Sequence, residues 1–333
     1  MTVRVGINGF GRIGRTYLRN VLDRDIDVVA VNDITDAETL AHLLAYDSTY
    51  GRLAQTVDHD DTSLTVDRHQ IAVLSQREPD RLPWGELGVD IVVEASGRFR
   101  TRDEAAAHLK AGARKVLLSA PGKGVDATVV MGVNEGVYDP RAHDVVSNAS
   151  CTTNCVVPMV KVLHDSFGIT KGFMTTIHAY TGDQRLLDSP HKDLRRARSA
   201  AVNIIPTSTG AARSVGLVIP EMAGQLDGLS LRVPVEVGSL VDLAVVLDRA
   251  VTVADVNAAF EAAATTAPLA GILAYTTRPI VSRDIIGDPA SCVFDASLTE
   301  ASGDLVKVFG WYDNEWAFSA RLADLTEYMA DRL

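Results

Sequence analysis

The sequence has 333 residues, a length that predicts two domains of ordinary size. Hydrophobic residues make up 47% and charged residues 23%, which is typical of a soluble globular protein with ample material for a core. The net charge of −11 argues against nucleic acid as a main partner, because sequence-independent binding depends on basic surface. Three cysteines are too few for a disulfide framework, which agrees with a reducing compartment. No apolar run reaches the length of a bilayer span and no targeting segment is visible, so we expect a cytoplasmic protein without a membrane partner.

The first residues predict a nucleotide-binding unit. Val3–Ile7 has the pattern of a buried parallel strand, and helical character continues through Leu22. Between them Gly9, Gly11 and Gly14 have the spacing of the dinucleotide fingerprint, whose glycines let the backbone approach a pyrophosphate at the helix N-terminus. The glycines alone are a weak signal, but the strand before them and the helix after them are the context that the motif requires.

An acidic residue follows the second predicted strand. Asp33 lies nineteen residues beyond Gly14, just after the strand at 27–31. A carboxylate in this place hydrogen-bonds the adenosine ribose hydroxyls and repels a 2′-phosphate, which predicts NAD in preference to NADP. The alternative is that Asp33 caps the next helix.

Strand and helix signals continue to alternate up to the middle of the chain. Strands at 90–94 and 115–119 with a helix at 102–111 predict a parallel sheet with crossover helices, and residues 56–75 predict a small antiparallel insertion. His59 and His69 in that insertion lack neighbouring ligands at metal-binding spacing, so we predict no metal. The residues 96–97 and 119–121 follow strand ends and are candidates to line the cofactor cleft.

Cys151 is the candidate nucleophile. It lies where strand character at 144–147 gives way to a helix, so its sulfur should meet the positive helix N-terminus, which favours a thiolate of lowered pKa. The alternative is a small packing residue. Cys155, one turn further along, is interpreted as packing, and Pro158 should kink or shorten the helix.

The second half predicts a different class of sheet. Longer strands of alternating polarity at 172–178, 228–235, 240–247, 291–298 and 305–311 indicate a mixed, mainly antiparallel sheet with helices on one face. Helices are predicted at 253–265 and 315–333, and the latter is expected to pack back on the first domain. The residues 183–213 form a long segment without predicted regular structure.

A histidine and a basic cluster complete the candidate site. His178 closes a predicted strand and is the residue that would serve a cysteine nucleophile as base, although a lone histidine at a strand end is usually structural. Lys192, Arg195, Arg196 and Arg198 form a solvated basic surface or, with Arg232 and nearby hydroxyls, an anion pocket suited to phosphate.

These motifs together resemble phosphorylating glyceraldehyde-3-phosphate dehydrogenase along essentially the whole chain. The resemblance is carried by five segments in order: Ile7–Arg15, Ala149–Cys155, His178–Thr181, Pro206–Ala212 and Trp311–Trp316. It implies a doubly wound α/β Rossmann domain at residues 1–149, with the helix 315–333 packed back on it, and an α+β catalytic domain at 150–314. It also implies a homotetramer in which the loop 183–198 is buried between subunits.

The same resemblance implies the reaction and the roles of individual residues. The family oxidises glyceraldehyde 3-phosphate to 1,3-bisphosphoglycerate with NAD and inorganic phosphate in glycolysis and gluconeogenesis, with Cys151 as nucleophile and His178 as base. Besides the three glycines, the NAD-binding residues would be Arg12, Ile13, Asp33, Arg77, Ser119 and Asn314. The substrate phosphate would bind Thr181, Arg196 and Arg232, and the attacking phosphate would bind Ser150, Thr152, Thr209 and Gly210.

Some positions depart from the family pattern, and other functions stay open. Val235–Gly238 replaces a threonine-containing run after Arg232, the segment 183–209 is one residue shorter than in many relatives, and Ser189 before Pro190 leaves some use of NADP open. An erythrose-4-phosphate dehydrogenase is the nearest alternative. A cysteine hydrolase and a non-catalytic nucleotide-responsive binding protein are the alternatives from other classes.

Overall fold

The computed structural model describes residues 2–333 and contains two compact units. The first unit comprises the residues up to Val129, Glu135–Ala149 and Ser319–Leu333. The second unit comprises Val130–Asn134 and Ser150–Phe318. Within residues 2–333 no helix is long and apolar enough to cross a membrane.

The first unit is built on a nine-stranded, mostly parallel sheet. Its strands, with the separate β3–β4 hairpin, are β1 Val3–Asn8, β2 Ile26–Asn32, β3 Tyr46–Asp47, β4 Gly51–Arg52, β5 Val57–His59, β6 Ser63–Val66, β7 His69–Leu74, β8 Ile91–Glu94, β9 Lys115–Leu118, β10 Ala127–Thr128 and β11 Val145–Ser147. The spatial order is β10-β11-β9-β8-β1-β2-β7-β6-β5. The strands from β10 to β7 pair in parallel, whereas β6 and β5 pair antiparallel. The predicted parallel sheet and its antiparallel insertion are therefore confirmed.

Helices of the first unit connect these parallel strands. They are α1 Arg12–Val21, α2 Ala37–Ala45, α3 Arg102–Ala105 and α4 Ala107–Lys110. Asp36, not Asp33, caps α2, because its side chain accepts a hydrogen bond from Thr39 N. The single helix predicted at 102–111 is wrong: a turn at Ala106 divides it into α3 and α4.

The second unit is built on a mixed, mainly antiparallel sheet, as predicted. Its strands are β12 Ile169–Ala179, β13 Ile205–Ser208, β14 Leu226–Val233, β15 Ser239–Leu247, β16 Leu273–Thr276, β17 Cys292–Asp295, β18 Glu300–Ser302 and β19 Leu305–Tyr312. The order is β13-β14-β12-β15-β19-β17-β16, with β18 paired to β19. Burial alternates along β15, whose residues 239, 241, 243, 245 and 247 are buried, so one face of the sheet lies in the core.

Three α-helices lie within the second unit: α5 Cys151–Phe167, α6 Ala211–Val218 and α7 Val253–Thr265. Helix α5 contacts β12, β15, β17 and β19, and most of its residues are buried. The last helix, α8 Trp316–Ala330, continues into the first unit, where Tyr17 donates to Thr326 Oγ1 at 3.0 Å.

Two expectations for the second unit are corrected. Pro158 does not shorten α5, which continues to Phe167, since burial on the sheet outweighs the proline penalty of about 3 kcal/mol. The segment 183–213 is not wholly irregular, because β13 and the start of α6 lie within it. The strand β13 carries Pro206 and lies at one edge of its sheet, where a proline is tolerated although it weakens the strand signal in the sequence.

Candidate active site

The N-terminus of α5 places Cys151 opposite a histidine. Ser150 is the N-cap, and its Oγ accepts a hydrogen bond from Thr153 N at 3.1 Å. Cys151 is therefore the first helical residue and is half-buried. Its Sγ lies 3.4 Å from Nε2 of His178, which is the next-to-last residue of the inner strand β12 and is 4% exposed. The two residues that the sequence predicts as nucleophile and base are thus in hydrogen-bond contact.

The other nitrogen of His178 has two polar neighbours. Nδ1 lies 2.7 Å from Ala179 O and 2.7 Å from Nη1 of Arg232, which also donates to Ala179 O at 2.9 Å. When Nδ1 carries the hydrogen and donates to the carbonyl, Nε2 is free to accept a proton from Cys151. When Arg232 donates to Nδ1, Nε2 instead carries a hydrogen and can donate to an anion beside the sulfur.

Burial sets the protonation of this pair. Burial, followed by the charge of Arg232, lowers the pKa of His178 to about 3, so the imidazole is neutral at physiological pH. Burial also raises the pKa of the Cys151 thiol above its usual value, and Arg232 and the hydrogen bonds from Thr152 only partly offset it. The expected lowering of the Cys151 pKa is therefore wrong for the protein alone, because desolvation outweighs the charge of Arg232 and the hydrogen bonds at the start of α5. The pair is a thiol beside a neutral base.

Tyr312 supports the pair and was not predicted to have a role. Its hydroxyl lies 2.8 Å from Thr152 Oγ1 and 2.8 Å from Thr176 Oγ1, and its ring packs edge-on against His178 at 5.9 Å. The hydroxyl of Thr152, predicted to bind phosphate, thus faces the core. Tyr312 lies within the Trp311–Trp316 motif, but its partners are too distant in the sequence for a pattern to reveal.

A second group of charged residues surrounds Asp183. Thr181 Oγ1 donates to Asp183, and Arg196 Nη1 reaches the same carboxylate at 2.7 Å. Burial raises the pKa of Asp183, but the hydrogen bond from Thr181 and the charges of Arg196 and Arg232 outweigh it and leave the pKa below its usual value. Two of the residues predicted to bind the substrate phosphate, Thr181 and Arg196, are thus brought together by a carboxylate that sequence reasoning did not single out.

The residues predicted for the attacking phosphate lie at the N-termini of two helices that contact each other, α5 and α6. Ser150 caps α5, while Gly210 is the N-cap of α6. Thr209 Oγ1 accepts a hydrogen bond from Ala211 N at 3.2 Å. Helix N-termini offer N–H donors and a positive dipole, which suit an anion.

Asn314, predicted to hold the nicotinamide amide, is 4% exposed. Its Oδ1 accepts hydrogen bonds from Gly238 N at 3.2 Å and Ser239 Oγ at 3.0 Å. Ser239 Oγ in turn accepts from Ala179 N at 3.1 Å. The orientation of this side chain is therefore fixed by the strand pair that ends beside His178.

The first unit contains a pocket beside the predicted glycine turn. Gly9 has a φ of +94°, and a Cβ there would lie 2.4 Å from Ser96 N. A Cβ on Gly14 would lie 2.3 Å from Gly9 O, so both positions require glycine. A cavity of about 230 Å³ beside this turn is lined by Gly9, Gly11, Asp33 and Arg77, among others.

The acidic residue is fixed at the rim of this pocket. Asp33 accepts hydrogen bonds from Phe10 N at 2.8 Å and Ile34 N at 2.7 Å. Of the other predicted NAD residues, Arg12 and Ile13 begin α1, with Arg12 paired to Asp47 at 2.5 Å, and Ser119 follows β9. A larger cavity of about 510 Å³ in this unit lies against α2, β4 and β5 and contains none of the predicted residues.

The remaining cysteines and metal-binding residue types add no further centre to this site. Cys155 and Cys292 are buried, and all three cysteines are free. Among residues 2–333, no three His, Cys, Asp or Glu side chains are grouped to hold a metal ion.

Comparisons with known proteins agree with this arrangement. A family model described as the NAD binding domain of glyceraldehyde 3-phosphate dehydrogenase matches residues 3–102, and one described as its C-terminal domain matches 150–314. A relative from Streptomyces coelicolor is 60% identical over the full length of both chains. Relatives from Geobacillus stearothermophilus and Mycobacterium bovis are 57% and 56% identical over 100% of this chain and 99% and 100% of their own. All three bear the name glyceraldehyde-3-phosphate dehydrogenase.

Proposed function

The chain belongs to the glyceraldehyde-3-phosphate dehydrogenase family, and from this premise we propose that it converts glyceraldehyde 3-phosphate and inorganic phosphate to 1,3-bisphosphoglycerate with NAD. The observation that carries the proposal is the 3.4 Å contact between Cys151 Sγ and His178 Nε2 at the N-terminus of α5. Residues 1–149 with the C-terminal helix would bind the cofactor, and residues 150–314 would carry the chemistry.

Cys151 and His178 carry out the first step. Because His178 is neutral at physiological pH, Nε2 can take the thiol proton as the sulfur attacks the aldehyde carbon. The oxyanion that forms is stabilised by the N–H donors of the α5 N-terminus and by the protonated imidazole. The imidazolium then returns its proton to this oxygen, which gives a neutral thiohemiacetal on Cys151 and a neutral His178. Arg232, 2.7 Å from Nδ1, places a positive charge beside this step.

Oxidation of the thiohemiacetal leaves a thioester on Cys151. NAD bound in the glycine-lined pocket would supply the acceptor for the hydride that leaves the thiohemiacetal carbon. His178 takes the hydroxyl proton in that step, so a thioester remains on Cys151. Inorganic phosphate then attacks the thioester carbon, the carbon–sulfur bond breaks, and the acyl phosphate leaves. The departing sulfur is reprotonated through His178, which restores the Cys151 thiol and the neutral base.

Two anion sites serve this sequence. We assign the substrate phosphate to Thr181, Arg196 and Arg232, since the first two converge on Asp183 and the third reaches His178. We assign the attacking phosphate to Ser150, Thr152, Thr209 and Gly210 at the two helix N-termini. The hydroxyl of Thr152 is bonded to Tyr312, so its contribution would come from its backbone N–H.

We further propose a homotetramer in the cytoplasm. The segment 186–204 exposes five apolar side chains, each at least 66% exposed: Leu186, Leu187, Leu194, Val202 and Ile204. Such a concentration of exposed apolar residues is typical of a subunit interface. Light scattering coupled to gel filtration tests the assembly, and a monomer would contradict it. Cell fractionation tests the location, and recovery outside the cytoplasmic fraction would contradict it.

The reaction is tested by NADH formation from glyceraldehyde 3-phosphate with and without inorganic phosphate. Turnover that requires phosphate is expected, since water should not resolve the thioester efficiently. Parallel assays with NADP and with erythrose 4-phosphate are expected to be slower. Sustained turnover without phosphate, or faster turnover of the four-carbon aldehyde, would overturn the acceptor or the substrate assigned here.

A further inference from the structure

Glu94, the last residue of β8, has a carboxylate that the proposed chemistry does not use. The residue is 3% exposed. Its Oε1 accepts hydrogen bonds from the backbone N of Ser96 at 2.8 Å and from Ser96 Oγ. Its Oε2 accepts from Nδ2 of Asn8 at 2.5 Å and lies 3.0 Å from Nε2 of His108.

The contact with Trp84 determines which ring nitrogen of His108 carries the hydrogen. Trp84 Nε1 donates to His108 Nδ1 at 3.0 Å, and because an indole N–H can only donate, Nδ1 is the acceptor. Nε2 therefore carries the hydrogen and donates to Glu94. All four partners of Glu94 are donors, a set that the acceptor-only carboxylate satisfies on both oxygens. A glutamine in its place would turn an NH₂ group toward one pair of donors.

The peptide held by Glu94 supports the glycine turn of the nucleotide pocket. A Cβ on Gly9 would lie 2.4 Å from Ser96 N and 2.7 Å from Ala95 C, so the turn rests directly on the Ala95–Ser96 peptide. Ala95 N also donates to Asn8 O at 2.7 Å. Asn8, Gly9 and Ser96 all line the cavity of about 230 Å³. A shift of Ser96 would therefore move the floor of the pocket.

We propose that Glu94 is a positioning residue for the dinucleotide, because it fixes the Ala95–Ser96 peptide on which the Gly9 turn rests. The inference rests on the proposed function in taking NAD as the occupant of this pocket. Glu94 acts through Ser96 and not through contact with the cofactor. Its loss should weaken binding of the dinucleotide while leaving the chemistry at Cys151 intact.

The first test compares Glu94→Gln with the wild type by calorimetric titration of NAD and by steady-state kinetics. We expect the Kd and the KM for NAD to rise about tenfold, since one pair of buried donors loses its acceptor, while kcat changes less than about threefold. Glu327→Gln is the matched control in the same unit: Glu327 pairs with Arg24 at 3.1 Å and should leave both constants unchanged. An unchanged Kd in folded Glu94→Gln would overturn the proposal.

A double-mutant cycle with Ser96→Ala tests whether Glu94 acts through Ser96. Ser96→Ala alone should raise the Kd for NAD about threefold, and Glu94→Gln should cost less in that background than in the wild type. Additive effects would contradict the proposed route. If Glu94→Gln does not fold, an unchanged Kd in Ser96→Ala overturns the proposal instead. Wild-type protein that binds NAD but does not oxidise the aldehyde would overturn the proposed reaction alone.

Discussion

The dinucleotide pocket of the first unit is built mainly from backbone, whereas the Cys151 site of the second unit is built from side chains that four elements supply. The pocket needs two glycines in a tight turn and one carboxylate at a strand end. The Cys151 site needs side chains from α5, β12, β14 and β19. A backbone site is therefore sensitive to turn geometry, and a side-chain site is sensitive to single substitutions.

The largest effect that separates the two regions is expected for Cys151→Ser. Turnover should fall by at least about 10⁴-fold, because a hydroxyl is a far weaker nucleophile beside the same base. The Kd for NAD should stay within about threefold of the wild-type value, since the pocket lies in the first unit. Calorimetry and NADH formation measure the two quantities. Cys292→Ser is the control, because Cys292 is a buried cysteine outside the site. A loss of NAD binding in Cys151→Ser would contradict the view that NAD binding and the chemistry at Cys151 belong to separate regions.

The next effect is expected for His178→Asn. Asparagine cannot accept the thiol proton, so kcat should fall by about 10²–10⁴-fold. Alkylation of Cys151 by iodoacetamide at neutral pH should slow as well, because the neighbouring base is lost. Rapid-mixing alkylation followed by peptide mass spectrometry gives the rate, and an unchanged rate would mean that His178 does not assist the thiol.

A smaller effect is expected when the acidic residue of the backbone-built pocket is changed. Asp33→Asn removes the charge that would repel a 2′-phosphate, so the ratio of kcat/KM for NADP to that for NAD should rise about tenfold. Asp33 accepts hydrogen bonds from the backbone N–H groups of Phe10 and Ile34. In Asp33→Asn one of these groups would face an NH₂ that cannot accept, so binding of NAD should weaken too. Kinetics with both cofactors test this, and an unchanged ratio would remove Asp33 from the specificity determinants.

The last expected effect concerns the stability of the folded protein at acidic pH. Burial and Arg232 lower the pKa of His178 from 6.5 to about 3. Between these values the unfolded chain binds a proton that the folded chain does not, so this residue's stability contribution is lost progressively as pH falls from about 6.5 toward about 3. At pH 5 the loss is about 2 kcal/mol. The Tm drop between pH 7 and pH 5, measured by calorimetry, should be a few degrees smaller in His178→Asn, and equal drops would contradict the assignment.

The same contrast explains what the sequence could predict. The Gly9–Gly14 turn, the strand before it and Asp33 are neighbours in the chain, so local patterns identified the pocket. Helix α7 was predicted at its observed bounds, Val253–Thr265, because helical periodicity is also a local signal. The strand β13 was missed because Pro206 weakens the strand signal in the sequence. The strand forms nevertheless, because it pairs with β14.

Contacts between distant residues account for the rest. Cys151 and His178 were identified as residue types in a familiar motif, but their 3.4 Å contact depends on how β12 and α5 pack. Tyr312, Asp183 and Glu94 were missed as supporting residues because each acts through partners that only the fold brings close. The protonation of Cys151 was predicted wrongly, since the degree of desolvation depends on packing density and not on the position of a residue within its helix.

The most direct test of the central claim, that Cys151 carries the reaction as a thioester, is to trap the acyl group. The protein is mixed with NAD and glyceraldehyde 3-phosphate without inorganic phosphate, quenched in acid, and digested for peptide mass spectrometry. We predict an acyl adduct on the peptide that contains Cys151, its disappearance when inorganic phosphate is added before the quench, and its absence in Cys151→Ser. An adduct on another residue, or one on Cys151 that phosphate does not remove, would contradict the account.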